Sequence, residues 1–87
     1  MSLTEDFEAA QAAVKTLSQM PATDELLTLY ALFKQGTVGD ATGKRPGMLD
    51  MKGRAKFDAW SKKKGTAKDD AMHSYVGLVA DLKKKHG

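Results

Sequence analysis

The 87-residue chain has no cysteine. A disulfide framework and a thiolate metal site are therefore excluded, and packing alone must stabilise a small core. Long apolar runs are missing too: the longest is Leu29 to Phe33, far short of the roughly 18 residues that mark a membrane span. No stretch alternates apolar and polar residues with period two, and β-branched residues are sparse, so strands are not expected. The amino terminus carries Glu5, Asp6 and Glu8 in place of an apolar h-region, and Ser2 stands where myristoylation needs glycine. Neither a secretory signal nor a lipid anchor is expected, and a cytoplasmic protein is the default. With 41% hydrophobic and 29% charged residues, the chain is too apolar for disorder and fits one domain, residues 1–87.

Catalytic groups are scarce as well. The two histidines are His73 and His86, and Asp69 with His73, one helical turn apart, offers two ligands where a metal needs more. No nucleophile, base and oxyanion arrangement emerges. The expectation is no enzyme, no catalytic residue, no metal and no cofactor.

What is present is a charge asymmetry. Residues 1–43 hold two lysines against six acids, and residues 44–87 hold twelve Lys or Arg against five acids, within a net charge of +3. Such a split marks either a solvated basic face or an anionic partner such as a nucleic acid, a membrane or a phosphorylated small molecule.

Four segments repeat a helical spacing. Leu3, Phe7, Ala10, Val14 and Leu17 follow a Ser2-x-x-Glu5 capping box and end before Pro21. Thr23 is placed to cap a second helix with Asp24 and Glu25 in its first turn, closed by Gly36 and Gly39. Asp50 is placed to cap a third through Ala55, Phe57, Ala59 and Trp60, terminated by Gly65 in the C′ position. The fourth runs from Thr66 through Met72, Tyr75, Val76, Val79 and Leu82, the cleanest amphipathic stripe in the chain.

The fold is thus all-α. Its one long connection, Gly39 to Leu49, has room for an unusual topology. A second helix of about 16 residues is ~24 Å long, whereas eleven extended residues reach ~36 to 40 Å. The loop can return along the helix, leaving helices two and three parallel.

Helix two is apolar around most of its circumference from Leu26 to Phe33, which calls for two contacts, one to the core and one elsewhere. Lys34 follows Tyr30 by four residues, and Trp60 follows Lys56 by four. A lysine beside a ring suits a phosphorylated, ring-bearing ligand; equally, Tyr30, Phe33, Trp60 and Tyr75 could be core aromatics with lysines snorkelling at the rim. Gly39-Asp-Ala-Thr-Gly43-Lys44-Arg45 is not a P-loop: one residue is missing between the glycines and Arg follows the lysine. Lys62-Lys63-Lys64 and Lys83-Lys84-Lys85 close helices, where cations complement the macrodipole. No DNA or RNA motif accompanies them. A nucleic-acid module and a helical protein adaptor remain the competing readings.

In sequence, Leu29-Tyr30-Ala31-Leu32-Phe33-Lys34-Gln35, Thr37-Val38-Gly39-Asp40, Arg45-Pro46-Gly47-Met48-Leu49-Asp50, Lys52-Gly53, Ala55-Lys56-Phe57-Asp58-Ala59-Trp60 and Asp70-Ala71-Met72 closely resemble the acyl-CoA-binding protein family, across essentially the whole chain. The resemblance implies a four-helix bundle of up-down-down-up topology with a long loop between helices two and three. It implies a cytoplasmic, monomeric, non-catalytic carrier and pool former for medium- and long-chain acyl-CoA esters, with no nucleic-acid partner and at most transient membrane contact. The implied ligand residues are Lys15, Tyr30, Ala31, Leu32, Phe33, Lys34, Lys56 and Tyr75, with Phe7, Leu27 and Phe57 along the acyl-chain groove. The 3′-phosphate would meet Lys34 and Lys56, Tyr30 would add a hydroxyl, and Phe33 would lie against the adenine. Phe33 stands where the family often has tyrosine and Phe57 where it often has tryptophan, which keeps ring contact but loses a polar handle.

Overall fold

The computed structural model describes residues 2–86. It contains four helices, α1 (Leu3–Val14), α2 (Thr23–Thr37), α3 (Met51–Ser61) and α4 (Lys68–His86), and no strand among the described residues.

Local chemistry sets most of the boundaries. Ser2 and Glu5 form a reciprocal capping box at α1, each side chain accepting from the other's backbone N–H at 3.1 Å. The helix stops at Val14, short of Leu17, because the Lys15 and Thr16 N–H groups turn back to the carbonyls of Ala12 and Ala13 and the Thr16 hydroxyl donates to Ala13 as well. At α2 the cap is Ala22, not Thr23. Alanine offers no side-chain acceptor, and only the reverse half of a box forms, with the Glu25 carboxylate accepting from the Ala22 N–H at 3.0 Å. Asp50 caps α3 through the Gly53 N–H at 3.0 Å. α4 begins at Lys68, two residues later than Thr66.

Gly36 does not end α2. It lies inside the helix and is buried, where a Cβ would come within 3.2 Å of Met72 Cγ and 3.3 Å of Phe7 Cζ. Gly39 is the residue that turns the chain, at φ 102°. Gly65 also has positive φ, 90°, but it does not terminate α3 at C′: the helix ends at Ser61, and the turn residues 62–64 lie between.

Contacts between the helices give the directions. Phe7 meets Tyr75, and Ser18, just past the end of α1, bonds to the His86 carbonyl at the end of α4, so α1 and α4 run parallel. Gly36 faces Met72 while Glu25 pairs with Lys85, so α2 opposes α4. Tyr30 meets Lys56 and Lys34 meets Trp60, so α2 and α3 run parallel. The order is up, down, down, up, as the loop length allowed.

The core lies between α1, α2 and α4, where Phe7, Ala10, Leu29, Leu32, Ala71, Tyr75, Val79 and Leu82 form one cluster. α3 packs against α2 alone. A polar knot fixes its far end. Gln35, wholly buried, donates from Nε2 to Asp40 Oδ1 and to the Thr66 carbonyl, both at 2.8 Å. The Gly65 N–H adds a second donor to Asp40, and the Trp60 indole donates to the Gly39 carbonyl at 2.8 Å. Arg45 holds the long loop against α3 with two bonds to Asp58, at 2.8 and 2.6 Å.

Candidate functional site

Because α2 has partners on two sides, its outer face is not sealed. Two adjoining clefts open along it and share Leu26 and Tyr30; a third depression, about 380 Å³, lies between Leu27, Thr28 and Ala31 of α2 and Ala55 and Ala59 of α3. The first, about 450 Å³, lies between α2 and the end of α1; its wall includes Val14, Lys15, Met20, Tyr30, Phe33 and Tyr75. The second, about 260 Å³, runs between the starts of α2 and α3 and is bounded by Leu26, Leu27, Tyr30, Ala55, Lys52 and Lys56. Together they lie within the range of about 300 to 1,000 Å³ typical of small-molecule sites. The apolar excess of α2 is thereby explained: Leu29 and Leu32 face the core, while Leu26 and Leu27 wall the second cleft.

The aromatic and cationic groups arrive from different helices. Lys56 Nζ of α3 sits 5.4 Å from the centre of the Tyr30 ring of α2, and Lys34 Nζ of α2 sits 5.0 Å from the Trp60 ring of α3. The same-helix pairing expected from the four-residue spacing, Tyr30 with Lys34 and Lys56 with Trp60, is replaced by a cross-helix exchange. Parallel packing sets Tyr30 level with Lys56 and Lys34 level with Trp60, so each cation reaches across the seam. The result is two ammonium groups bridging α2 and α3 one turn apart, Lys56 at Tyr30, which borders both clefts, and Lys34 at Trp60.

Tyr75 lines the first cleft but is itself buried, its ring edge-on to Phe7 at 5.1 Å. Burial pushes its phenol above the ordinary value, so the hydroxyl keeps its proton and can donate. Phe33 is half-buried beside Phe7, ring centres 6.2 Å apart. Lys15 sits at the end of α1, exposed, on the rim of the first cleft.

Among the residues singled out in the sequence, the structure therefore brings Lys15, Tyr30, Phe33 and Tyr75 to one cleft and Leu27 and Lys56 to the neighbouring one, with Lys34 at the seam. It does not bring Ala31 or Leu32 to either: they are 0% and 5% exposed, and Ala31 lies instead on the depression between α2 and α3 with Thr28 and Ala59. Phe7 belongs to the core and to a separate depression with Thr4, Gly36 and Met72. Phe57 packs edge-on to Trp60, ring centres 6.4 Å apart, and lines neither cleft.

Lys52 was overlooked in the sequence, yet it lines the second cleft one turn before Lys56; that i, i+4 spacing was the available signal. Met20 and Pro21, also on the first cleft's wall, follow α1 in an irregular segment where no periodicity points to them. Among the described residues no cluster of His, Asp and Glu could hold a metal, and no helix is long and apolar enough to cross a membrane.

The arrangement suits an amphiphile: apolar walls, aromatic faces and several lysines that act as mobile point charges toward phosphate. Comparison with known proteins points the same way. The family model for acyl-CoA-binding protein matches residues 4–79. Acyl-CoA-binding protein homolog 1 of Caenorhabditis elegans is 60% identical over 85 residues, 98% of this chain and 99% of that protein. The Manduca sexta homolog is 52% identical over 83 residues, 94% of this chain and 92% of its own. Among solved structures, Oryza sativa acyl-CoA-binding protein 2 superposes with a TM-score of 0.92 at 39% identity, covering 97% of this chain and 93% of that one. The protein from Moniliophthora perniciosa gives 0.90 at 40% identity, covering 99% and 84%.

Proposed function

The chain belongs to the acyl-CoA-binding protein family, and from that premise we propose that it is a cytoplasmic, monomeric, single-domain carrier and pool former for medium- and long-chain acyl-CoA. The observation that carries the reading is Lys56 over the ring of Tyr30, set where a cleft bearing aromatic rings meets one with apolar walls, with Lys34 one turn further along the seam over Trp60. The family is one of binding proteins, and the role is transport without chemistry on the thioester.

In this reading Lys34 and Lys56 take the 3′-phosphate, helped by the Tyr30 hydroxyl, and Lys15 meets a second phosphate from the opposite rim. Phe33 covers the adenine. The acyl tail lies between α2 and α3 against Leu26, Leu27 and Ala55. Ala31 and Leu32 act from below by fixing the position of Tyr30 and Phe33.

Magnitudes decide which end of the ligand discriminates. At ~0.8 kcal/mol per methylene, about fourteen buried methylenes contribute on the order of 11 kcal/mol, close to the ~12 kcal/mol of a nanomolar complex. Ordering costs reduce this sum, but each lysine–phosphate bond adds only about 1.5 to 3 kcal/mol. Calorimetry over a series of acyl lengths should show affinity rising steeply and then levelling as the cleft fills. Free CoA binding as tightly as palmitoyl-CoA would overturn the assignment.

A further inference from the structure

We propose that the depression on the far side of the α2–α3 seam receives the end of long acyl tails, and that Leu27 is the gate through which they reach it. This rests on the carrier reading and deepens it, since it names the chains that the site takes: those longer than the second cleft can hold.

Volume poses the question. A methylene group takes up about the room of a water molecule, ~30 Å³. The second cleft has about 260 Å³, enough for roughly nine such groups. A palmitoyl tail carries about fourteen, so roughly five are left without cover. The first cleft is not free for them, because Lys15, Tyr30 and Phe33 on its wall meet the head group.

The depression is the space that adjoins the tail. Around α2 the face of the second cleft runs through Leu26 and Tyr30 and that of the depression through Thr28 and Ala31, and Leu27 stands between them. Leu27 and Ala55 border both spaces, so one half-buried leucine against one methyl group is the whole partition. Beyond it lie about 380 Å³, room for roughly a dozen further methylenes. The seam is also where the bundle gives most easily. α3 buries Trp60 alone and has α2 as its one helical neighbour, so it can part from α2 here without opening the core between α1, α2 and α4.

The chemistry of the depression suits a neutral hydrocarbon end. Ala31, Ala55 and Ala59 form its floor, and their small size is what leaves the space. Its polar groups are already engaged: the Thr28 hydroxyl donates to the Asp24 carbonyl at 2.9 Å, and Asp58 is held by Arg45. Neither asks an occupant for a hydrogen bond. Lys62 and Lys63 bring apolar stems to the rim while their ammonium groups stay in water.

The test compares decanoyl-CoA, whose tail fits the second cleft, with eicosanoyl-CoA, whose tail does not. In a methyl NMR titration of the full chain with labelled alanine, the Ala55 signal should move with both ligands and the Ala59 signal with eicosanoyl-CoA alone. Ala59→Phe fills the depression and should lower affinity for eicosanoyl-CoA about tenfold or more relative to decanoyl-CoA in calorimetry. Leu27→Ala widens the gate and should shift that ratio the other way. If eicosanoyl-CoA binds and leaves Ala59 still, or if either substitution leaves the ratio at its wild-type value, the tail stays on the near side: the proposal is overturned and the carrier reading stands. If neither ligand binds, both fall.

Discussion

α3 and α4 differ in how the bundle holds them. α4 buries Ala71, Tyr75, Val79 and Leu82, a stripe recurring every third or fourth residue along its length. α3 buries Trp60 alone, and α2 is its one helical neighbour. Yet α3 carries Lys52, Ala55 and Lys56, three of the seven residues that line the second cleft. The candidate site therefore spans one firmly anchored helix and one lightly anchored helix. Elements that open for a ligand are drawn from the less stable part of a structure.

Trp60→Ala should have the largest effect, about 3 to 5 kcal/mol, since it removes α3's single buried side chain together with its bond to the Gly39 carbonyl. Leu82→Ala on α4 should cost a comparable ~2 to 5 kcal/mol but affect the whole bundle. Hydrogen exchange separates the two. In wild type, and more so in Trp60→Ala, α3 amides should exchange through a local opening; equal protection of α3 and α4 would erase the contrast.

Next come the cations at the seam. Lys34→Ala and Lys56→Ala should each weaken acyl-CoA binding by about 1.5 to 3 kcal/mol. Each also gives up a ring contact of ~0.5 to 1 kcal/mol, because it reaches across to the other helix. If binding is unaffected in titration calorimetry, these lysines only stitch α3 to α2.

On the anchored side, Gly36→Ala should be destabilising by about 1 kcal/mol. The helix-propensity gain of ~1 kcal/mol is outweighed by a methyl pressed against Met72 and against Phe7, which the Phe33 and Tyr75 rings hold. A raised urea midpoint would show that the helices can part.

The smallest effect is on pH dependence. Asp40 lies below its ordinary pKa of 3.8, first through the Gly65 N–H and then through Gln35, and Asp58 lies low through its bonds to Arg45. A depressed folded-state value means that the stabilisation is complete above the unfolded pKa and is lost as pH falls through the folded one. Urea midpoints should therefore drop below about pH 4. Asp40→Asn should flatten part of that drop and loosen the far end of α3; an unchanged profile would remove Asp40 from the account.

Much of the fold was legible because helix signals are local. The Ser2–Glu5 box, the Asp50 cap and the α4 stripe each depend on residues within a turn or two, and each formed where spacing placed it. Boundaries shifted where a local competitor acted, as at Thr16, or where the expected cap gave way to Ala22. The candidate site was legible as a set of residue types around Tyr30 and the lysines, but not as an arrangement. Ala31 and Leu32 share α2 with the ligand-facing residues, and only packing reveals that they are sealed. Gln35 reads as an ordinary polar helix residue until Asp40 and Thr66 close over it.

The sequence by itself determined four helices, the caps at Ser2 and Asp50, the charge asymmetry and an α2 with more apolar surface than one core contact needs. Tertiary structure alone decided which lysine faces which ring and that α2's second face opens into clefts. The reason is range. A 3.6-residue period fixes which side chains share a face, whereas the alignment of one helix against another is set by contacts such as Trp60 with Gly39, 21 residues apart.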